Sequence, residues 1–442
     1  MSRRAFSTDA DYVQSVQGLH RLHALSAAGN DDEPEADAVR ASLEHPWVRL
    51  SEAERRRIAG LSEDLYTISE PAPAALPMNP EAQRKLVEAF EARRAGQWDE
   101  ALELLRRWGR QVDPALVSYL RGSVWMDAGD YATAALFLRH AAQLEPANEN
   151  YASLYLLALS RSDLRAAVAR AEEVLGRDQA HAPSLVVRAA EIRLLSTRGM
   201  SDVDARPVFQ ELVGVLDRTL ARLLSHEGRQ PTAHDSSYTL ATALAAFCHE
   251  HLGDAQAALR SCNLGIAADP DNDGLLVARG MLQYGADRSA VNDFEHAVRY
   301  GSPVVWPYFF LAHHYLVSNR FEECRSMSEQ ALRMPASDVV RANLYEWLAI
   351  ARAELGFPPQ QVRAAFEEAI RSEPGDERIR RNLRAFEESV ARQAAQPRAW
   401  DKPAESLVQA VGQAEFQPAH AVSRVRRLAA SARENCAPSV PG

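Results

Sequence analysis

One phrase of small and aromatic residues returns along the middle of the chain at a spacing near 33 residues, and it limits the possible folds more than any other feature. It reads most clearly as Gly129-Asp-Tyr-Ala-Thr-Ala134, followed by Leu138, Ala141 and Pro146. It returns as Gly96-Gln-Trp-Asp-Glu-Ala101 and as Gly253-Asp-Ala-Gln-Ala-Ala258 with Pro270. Later copies are Asn319-Arg-Phe-Glu-Glu-Cys324 with Ala331, and Gly356-Phe with Val362, Phe366, Ala369 and Pro374. Shorter versions run Ala290, Phe294, Ala297 and Ala167, Ala171, Val174. The small or apolar residue that opens the second half of each unit falls at 101, 134, 167, 258, 290, 324 and 362, with steps of 33, 33, 91, 32, 34 and 38. A period of this size marks stacked supersecondary units, and the long step holds one further unit with roughly 23 extra residues.

Each recurring residue has a mechanical role in a pair of helices. Apolar residues at three- and four-residue spacing predict helix on both sides of the glycine. A glycine there can take the left-handed backbone that ends a first helix. The alanine five residues on lets the second helix approach, where a larger side chain would overpack. Gly122, Ala246, Gly280, Ala312 and Ala349 offer the matching small surface on the first helices, and Trp98, Trp125, Tyr131, Phe321 and Phe357 fill the space around it. Pro146, Pro270 and Pro374 cannot continue the second helix and so set the step to the next unit.

On these residues the chain resembles the tetratricopeptide repeat (TPR) family, over about residues 81–390. The unit from Ala115 to Asn148 is nearly a consensus copy. The resemblance implies an all-α protein, an α-α superhelix (TPR solenoid) of about eight helix pairs. They begin near Ala82, Ala115, Asn148, Ala182, Thr239, Asp273, Val305 and Ala342, and a final helix near Glu377–Ala391 caps the open end. The fourth unit, 182–236, departs from the pattern: its second helix extends over about Ala205–Leu224 and a polar loop follows.

Composition divides the 442 residues into three expected zones. Residues 1–78 carry 8 basic and 13 acidic side chains and end in a proline-rich linker at 70–77. They read as an acidic extension with short helices. Ser51 and Glu54 form a capping-box pair ahead of Ile58, Leu61 and Leu65. A helix over about 52–68 is therefore expected to dock on repeat one through Trp47, Ile58, Leu61, Leu65, Tyr66 and Ile68. Residues 79–390 hold the repeat array. Residues 391–442, with 7 basic and 4 acidic side chains and five prolines, read as a mostly disordered tail. Two amphipathic stretches in it (Leu407, Val411, Ala414, Phe416; Val422, Val425, Leu428) raise the expectation that it docks back into the acidic array.

The net charge of −10 argues against a broad surface for nucleic-acid backbone. Four scattered cysteines, Cys248, Cys262, Cys324 and Cys436, read as reduced thiols, and the start shows no secretory signal, so the chain is expected to be cytoplasmic. No apolar run is long enough to insert in a membrane. Phosphate-loop, serine-hydrolase, zinc-protease and dinucleotide motifs are absent, so the chain reads as no enzyme, with no cofactor and no metal. In Cys248-His-Glu-His251 the histidines lie two apart on a helix and diverge, as do the adjacent His313 and His314.

In TPR proteins the first helices line a concave groove that holds a peptide. Carried onto this chain, that face is Tyr119 and Met126, then Phe247, Val277, Met281 and Tyr284, then Trp306, Phe309, His313 and Leu316. Exposed apolar patches of this kind mark interaction sites, although a one-residue phase error would turn the same side chains into core. The places that carry a Lys/Asn/Arg carboxylate clamp in some members hold Leu86, Phe90, Tyr119, Ser123 and Ala152 here, so that clamp is missing. The expected function is a non-catalytic scaffold or adaptor that binds a protein segment in the groove. The alternative is a regulatory or sensor partner of a bacterial signalling enzyme such as a Ser/Thr kinase.

Overall fold

The computed structural model describes residues 6, 8–69, 80–227, 231–232, 235–287 and 289–395. Among them there is helix and no strand. The proline-rich stretch at 70–77 and the expected tail docking by 396–442 lie outside the described residues. The chain falls into two compact units, Met1–Ser196 and Thr197–Gly442.

Unit 1 opens with α1 (Ala10–Ala27), α2 (Pro34–Arg49) and α3 (Glu52–Ser69). Helix pairs follow: α4 (Pro80–Arg94) with α5 (Trp98–Trp108), α6 (Pro114–Asp127) with α7 (Tyr131–Leu144), and α8 (Glu149–Ser162) with α9 (Leu164–Leu175). α10 (Pro183–Leu195) packs on α8 and α9 and completes the unit.

In unit 2, α11 (Asp202–Glu227) runs 26 residues and packs on α12 (Ser236–Leu252). α12 pairs with α13 (Ala255–Ala268), and the next pair is α14 (Asp273–Gln283) with α15 (Ser289–Arg299). Then come α16 (Val305–Val317) with α17 (Phe321–Ala331) and α18 (Asp338–Glu354) with α19 (Pro359–Ser372). α20 (Glu377–Ala395) closes the series against α19. The repeat that the sequence groups as 182–236 thus has its first helix in unit 1 and its second in unit 2.

The repeated residues sit where the pairing needs them. Gly129 and Gly253 end α6 and α12 at φ of 83° and 86°, and Gly96 and Gly356 do the same after α4 and α18. Asn319 takes the position after α16 at φ 55°, and asparagine is among the few side chains that tolerate it. Ala101, Ala134, Ala258, Ala290, Cys324 and Val362 on the second helices are wholly enclosed. Close approach is measurable at Gly122, where an added Cβ would lie 2.6 Å from Leu138 Cγ, and at Gly280, 2.7 Å from Phe294 Cε1. Pro146, Pro270 and Pro374 stand just past the ends of α7, α13 and α19.

The first three helices bind the repeats by charge as well as apolar contact. Ser51 and Glu54 form the expected cap at the start of α3. Ile58, Leu61 and Leu65 are buried, but Trp47 stays 41% and Tyr66 64% exposed. Tyr66 does not dock as expected, because a residue adjacent to Leu65 points 100° away from it around the helix; Trp47 of α2 borders Ile58 but stays largely open. The buried Asp64 receives Arg106 Nη2 of α5 at 3.0 Å and Arg121 Nη2 of α6 at 2.8 Å, and Arg121 Nη1 donates to Thr67 at 2.8 Å. Arg57 forks onto Asp99 at 2.6 and 2.7 Å and lies 4.2 Å above the Phe6 ring. Phe6 stands edge-on to Trp98 and Trp125, centroids 5.3 and 4.9 Å away.

Candidate interaction surface

First helices in unit 1 present a partly open apolar face. On α4, Phe90 is 42% and Val87 58% exposed, with Leu86 half-buried. On α6, Tyr119 and Met126 are partly exposed, and Tyr119 stacks on Tyr151 of α8 at 5.2 Å between centroids. Tyr119 also packs beside Leu86 and Leu116 over Ala89, Leu105 and Leu120, so it joins α4, α6 and α8. Tyr155 of α8 is likewise half-buried, against the core that Tyr119 and Met126 border. The face exists because α6 places Tyr119 and Met126 seven residues apart on one side, while its other sides carry Gly122 and Trp125 against α7 and its surroundings. Arg93 of α4 is paired to Asp127 at 2.7 Å and Lys85 to Glu88 at 2.7 Å, while Arg84 stands exposed on the same helix.

In unit 2 the expected groove residues lie elsewhere. Val277, Met281, Tyr284, Trp306, Phe309, His313 and Leu316 are all buried, in one hydrophobic cluster shared by α14 to α20 (His313 among its rings). This corrects the expectation of an open apolar face at these positions. The cause is α16, Val-Trp-Pro-Tyr-Phe-Phe-Leu-Ala-His-His-Tyr-Leu-Val, which carries no polar stripe to turn towards water and is buried nearly all round. Phe309 and His313 pack on Trp347 of α18, ring centroids 4.7 and 5.2 Å away. Phe310 stacks on Phe294 at 5.0 Å. Phe247 of α12 keeps partial exposure but leans on Phe209 of α11 and on His251. Asn343 and Glu346 of α18 are also sealed: Arg378 of α20 pairs with both, and Asn382 donates to Glu346 at 2.7 Å.

Burial keeps Tyr284, His313, Cys248 and Cys324 neutral. The Tyr284 hydroxyl lies 2.7 Å from His313 Nδ1, and burial drives the imidazole down to about 4 while raising the phenol. Proton exchange between them near neutral pH is correspondingly disfavoured, and the contact ties α14 to α16. Burial pushes the Cys248 and Cys324 thiols up to about 12, far from a thiolate nucleophile. In the Cys248–His251 segment, His251 Nδ1 is 2.9 Å from the carbonyl oxygen of Phe247, and His181 meets Glu149 at 2.9 Å. Among the described residues no three His, Cys, Asp or Glu side chains converge as metal ligands, and no helix is long and apolar enough to cross a membrane.

Helix pairs with a left-handed glycine between them, an enclosed small residue five positions on and a proline after the second helix have the pattern of tetratricopeptide repeats. The fold is all-α, and its helix pairs resemble those of TPR proteins in these repeat residues. No family model matches the sequence, and no curated protein aligns with it significantly. Solved structures that resemble it include a tetratricopeptide repeat protein from Parabacteroides merdae, with 14% identity and a TM-score of 0.36 over 62% of this chain and 99% of that one. Another is the C-terminal part of a TPR repeat-containing protein from Cytophaga hutchinsonii, with 10% identity and a TM-score of 0.35 over 66% and 97%. A human IFIT1 dimer with PPP-AAAA matches with 15% identity and a TM-score of 0.39 over 97% and 98%. At such scores the resemblance rests on the repeat residues themselves.

Proposed function

We propose that the protein is a non-catalytic scaffold that holds a segment of another protein on the first helices of unit 1, with Phe90, Tyr119, Met126 and Tyr155 as the contact row. The observation that carries this reading is the exposure of Phe90 and Val87 on α4, the helix whose Leu86 and Ala89 pack with the half-open Tyr119, where repeat packing does not consume them. Aromatic anchors in a desolvated row supply much of the energy of protein interfaces. Arg93 and Lys85 are engaged by carboxylates, and Glu81, Glu88 and Glu91 share α4 with Arg84, so the helix offers no net positive face to a phosphate backbone, which favours polypeptide over nucleic acid.

The test places a photo-crosslinking amino acid at Phe90 or Tyr119 and, as a control, at the exposed Leu264 of α13. The expected result is one protein adduct common to positions 90 and 119, absent at 264 and lost when the other of the two aromatic residues is changed to alanine. Adducts of equal yield at 264, or adducts with RNA alone, would overturn the reading. The adduct's identity also separates a signalling kinase from any other partner.

A further inference from the structure

Three histidines gather in unit 1 where α1 meets α7, and the scaffold reading uses none of them. His20 Nε2 lies 2.8 Å from Thr133 Oγ1, and Thr133 Oγ1 donates to Asp130 Oδ2 at 2.7 Å. A hydroxyl has a single proton. His20 Nε2 must therefore be the donor to Thr133, and a second proton, on Nδ1, would make the ring a cation. His23 follows three residues later on the same helix, and His140 of α7 holds the buried Ser118 at 2.8 Å through Nδ1. The charged groups facing this cluster are Arg139 and the capping Asp130 of α7, together with Arg121 of α6, which is already paired to Asp64 of α3.

Most of these neighbours oppose added positive charge. Burial holds all three imidazoles below their ordinary range; Arg139 and His20 add to the effect at His23, and Arg121, Arg139 and His23 at His140. Asp130 alone pulls the other way, at His20. In front of α1, Phe6 fills the pocket between Trp98 and Trp125 under Arg57, so movement of α1 would carry that plug with it.

We propose that α1 is an acid-released cover: protonation of His20, His23 and His140 lifts it from α7 and draws Phe6 from the Trp98–Trp125 pocket. The sign follows from linkage. Imidazoles that resist protonation when docked favour the released state as protons become available. Docking is complete above the ordinary histidine value, about 6.5, and weakens as the pH falls through the lowered values. With three sites, the logarithm of the opening constant rises by up to about three per pH unit.

Hydrogen exchange of the full chain between pH 8 and pH 5, corrected for the intrinsic pH dependence of exchange, tests this. Residues 10–27 are expected to lose protection steeply below about pH 6.5, while α18 stays protected. His20→Gln/His23→Gln/His140→Gln, which keeps an N–H donor for Thr133 but cannot ionise, should flatten the response. If that variant does not fold, His140→Gln alone should remove one proton from the slope. Protection of α1 that is flat across the range, an unchanged slope in the variants, or loss at α18 in step with α1 would each overturn the proposal.

Discussion

Replacing Phe309 with alanine separates the open-groove reading of α16 from the buried one found here. The ring is wholly enclosed, with Trp347 at 4.7 Å and Trp306 and Phe310 each at 5.9 Å between centroids. Truncating a buried phenylalanine removes its transfer free energy and leaves a cavity, together about 3–5 kcal/mol. Stiff aromatic neighbours on two helices collapse poorly into such a space, which favours the upper half of that range. For a unit of this size each kcal/mol lowers the melting temperature by about 2–4 °C, so Phe309→Ala should melt roughly 8–20 °C below the parent. Because repeat stability is carried by neighbouring contacts, peptides of α16 and α18 should lose hydrogen-exchange protection first. Circular-dichroism melts alongside urea titration give the number. A loss under about 1 kcal/mol, with a partner lost as well, would show that the ring faces a ligand and that the buried reading of α16 is mistaken.

Other outcomes follow from the same packing. Asp64→Ala strands Arg106 and Arg121 inside unit 1 and should cost about 3–5 kcal/mol in a denaturant titration; the lower end is expected because Arg106 also reaches Glu103 at 2.6 Å. A cost near zero would mean that the pair is not desolvated. Gly122→Ala sets a methyl 2.6 Å from Leu138 Cγ and should cost about 1–3 kcal/mol; an unchanged melt would show that Leu138 swings aside. Cys248 and Cys324, with thiols near 12, expose about one thiolate in ten thousand at pH 8. Peptide-resolved alkylation should therefore reach them only in denaturant, and rapid native labelling would contradict their burial.

Local chemistry alone carried most of the architecture. Glycine at positive φ, a small residue against the facing helix and a proline that stops the next turn act within one hairpin, so their spacing in the chain specifies the hairpin directly. That α11 is long was legible for the same reason, from Phe209, Leu212, Leu216 and Leu220 at helical intervals, although it runs from Asp202 to Glu227, beyond the expected Ala205–Leu224 at both ends. Cys324 and Val362 fill the place of the repeat alanine and are enclosed like it, so the pattern tolerates modest changes in size there.

Tertiary structure decided which apolar residues stay open and how the first helices attach. Periodicity gives the angles between side chains on a helix, but a helix apolar on every side, such as α16, has no polar stripe to fix its rotation against its neighbours. Tyr119 and Phe309 stand alike in sequence, yet one remains half-open and the other is walled in by Trp347, a residue 38 positions further on. Asp64 reaches arginines 42 and 57 residues away, and Phe6 enters a pocket made by Trp98 and Trp125. Such contacts depend on where separate helices come to rest. That placement is a property of the folded packing, which no local spacing encodes.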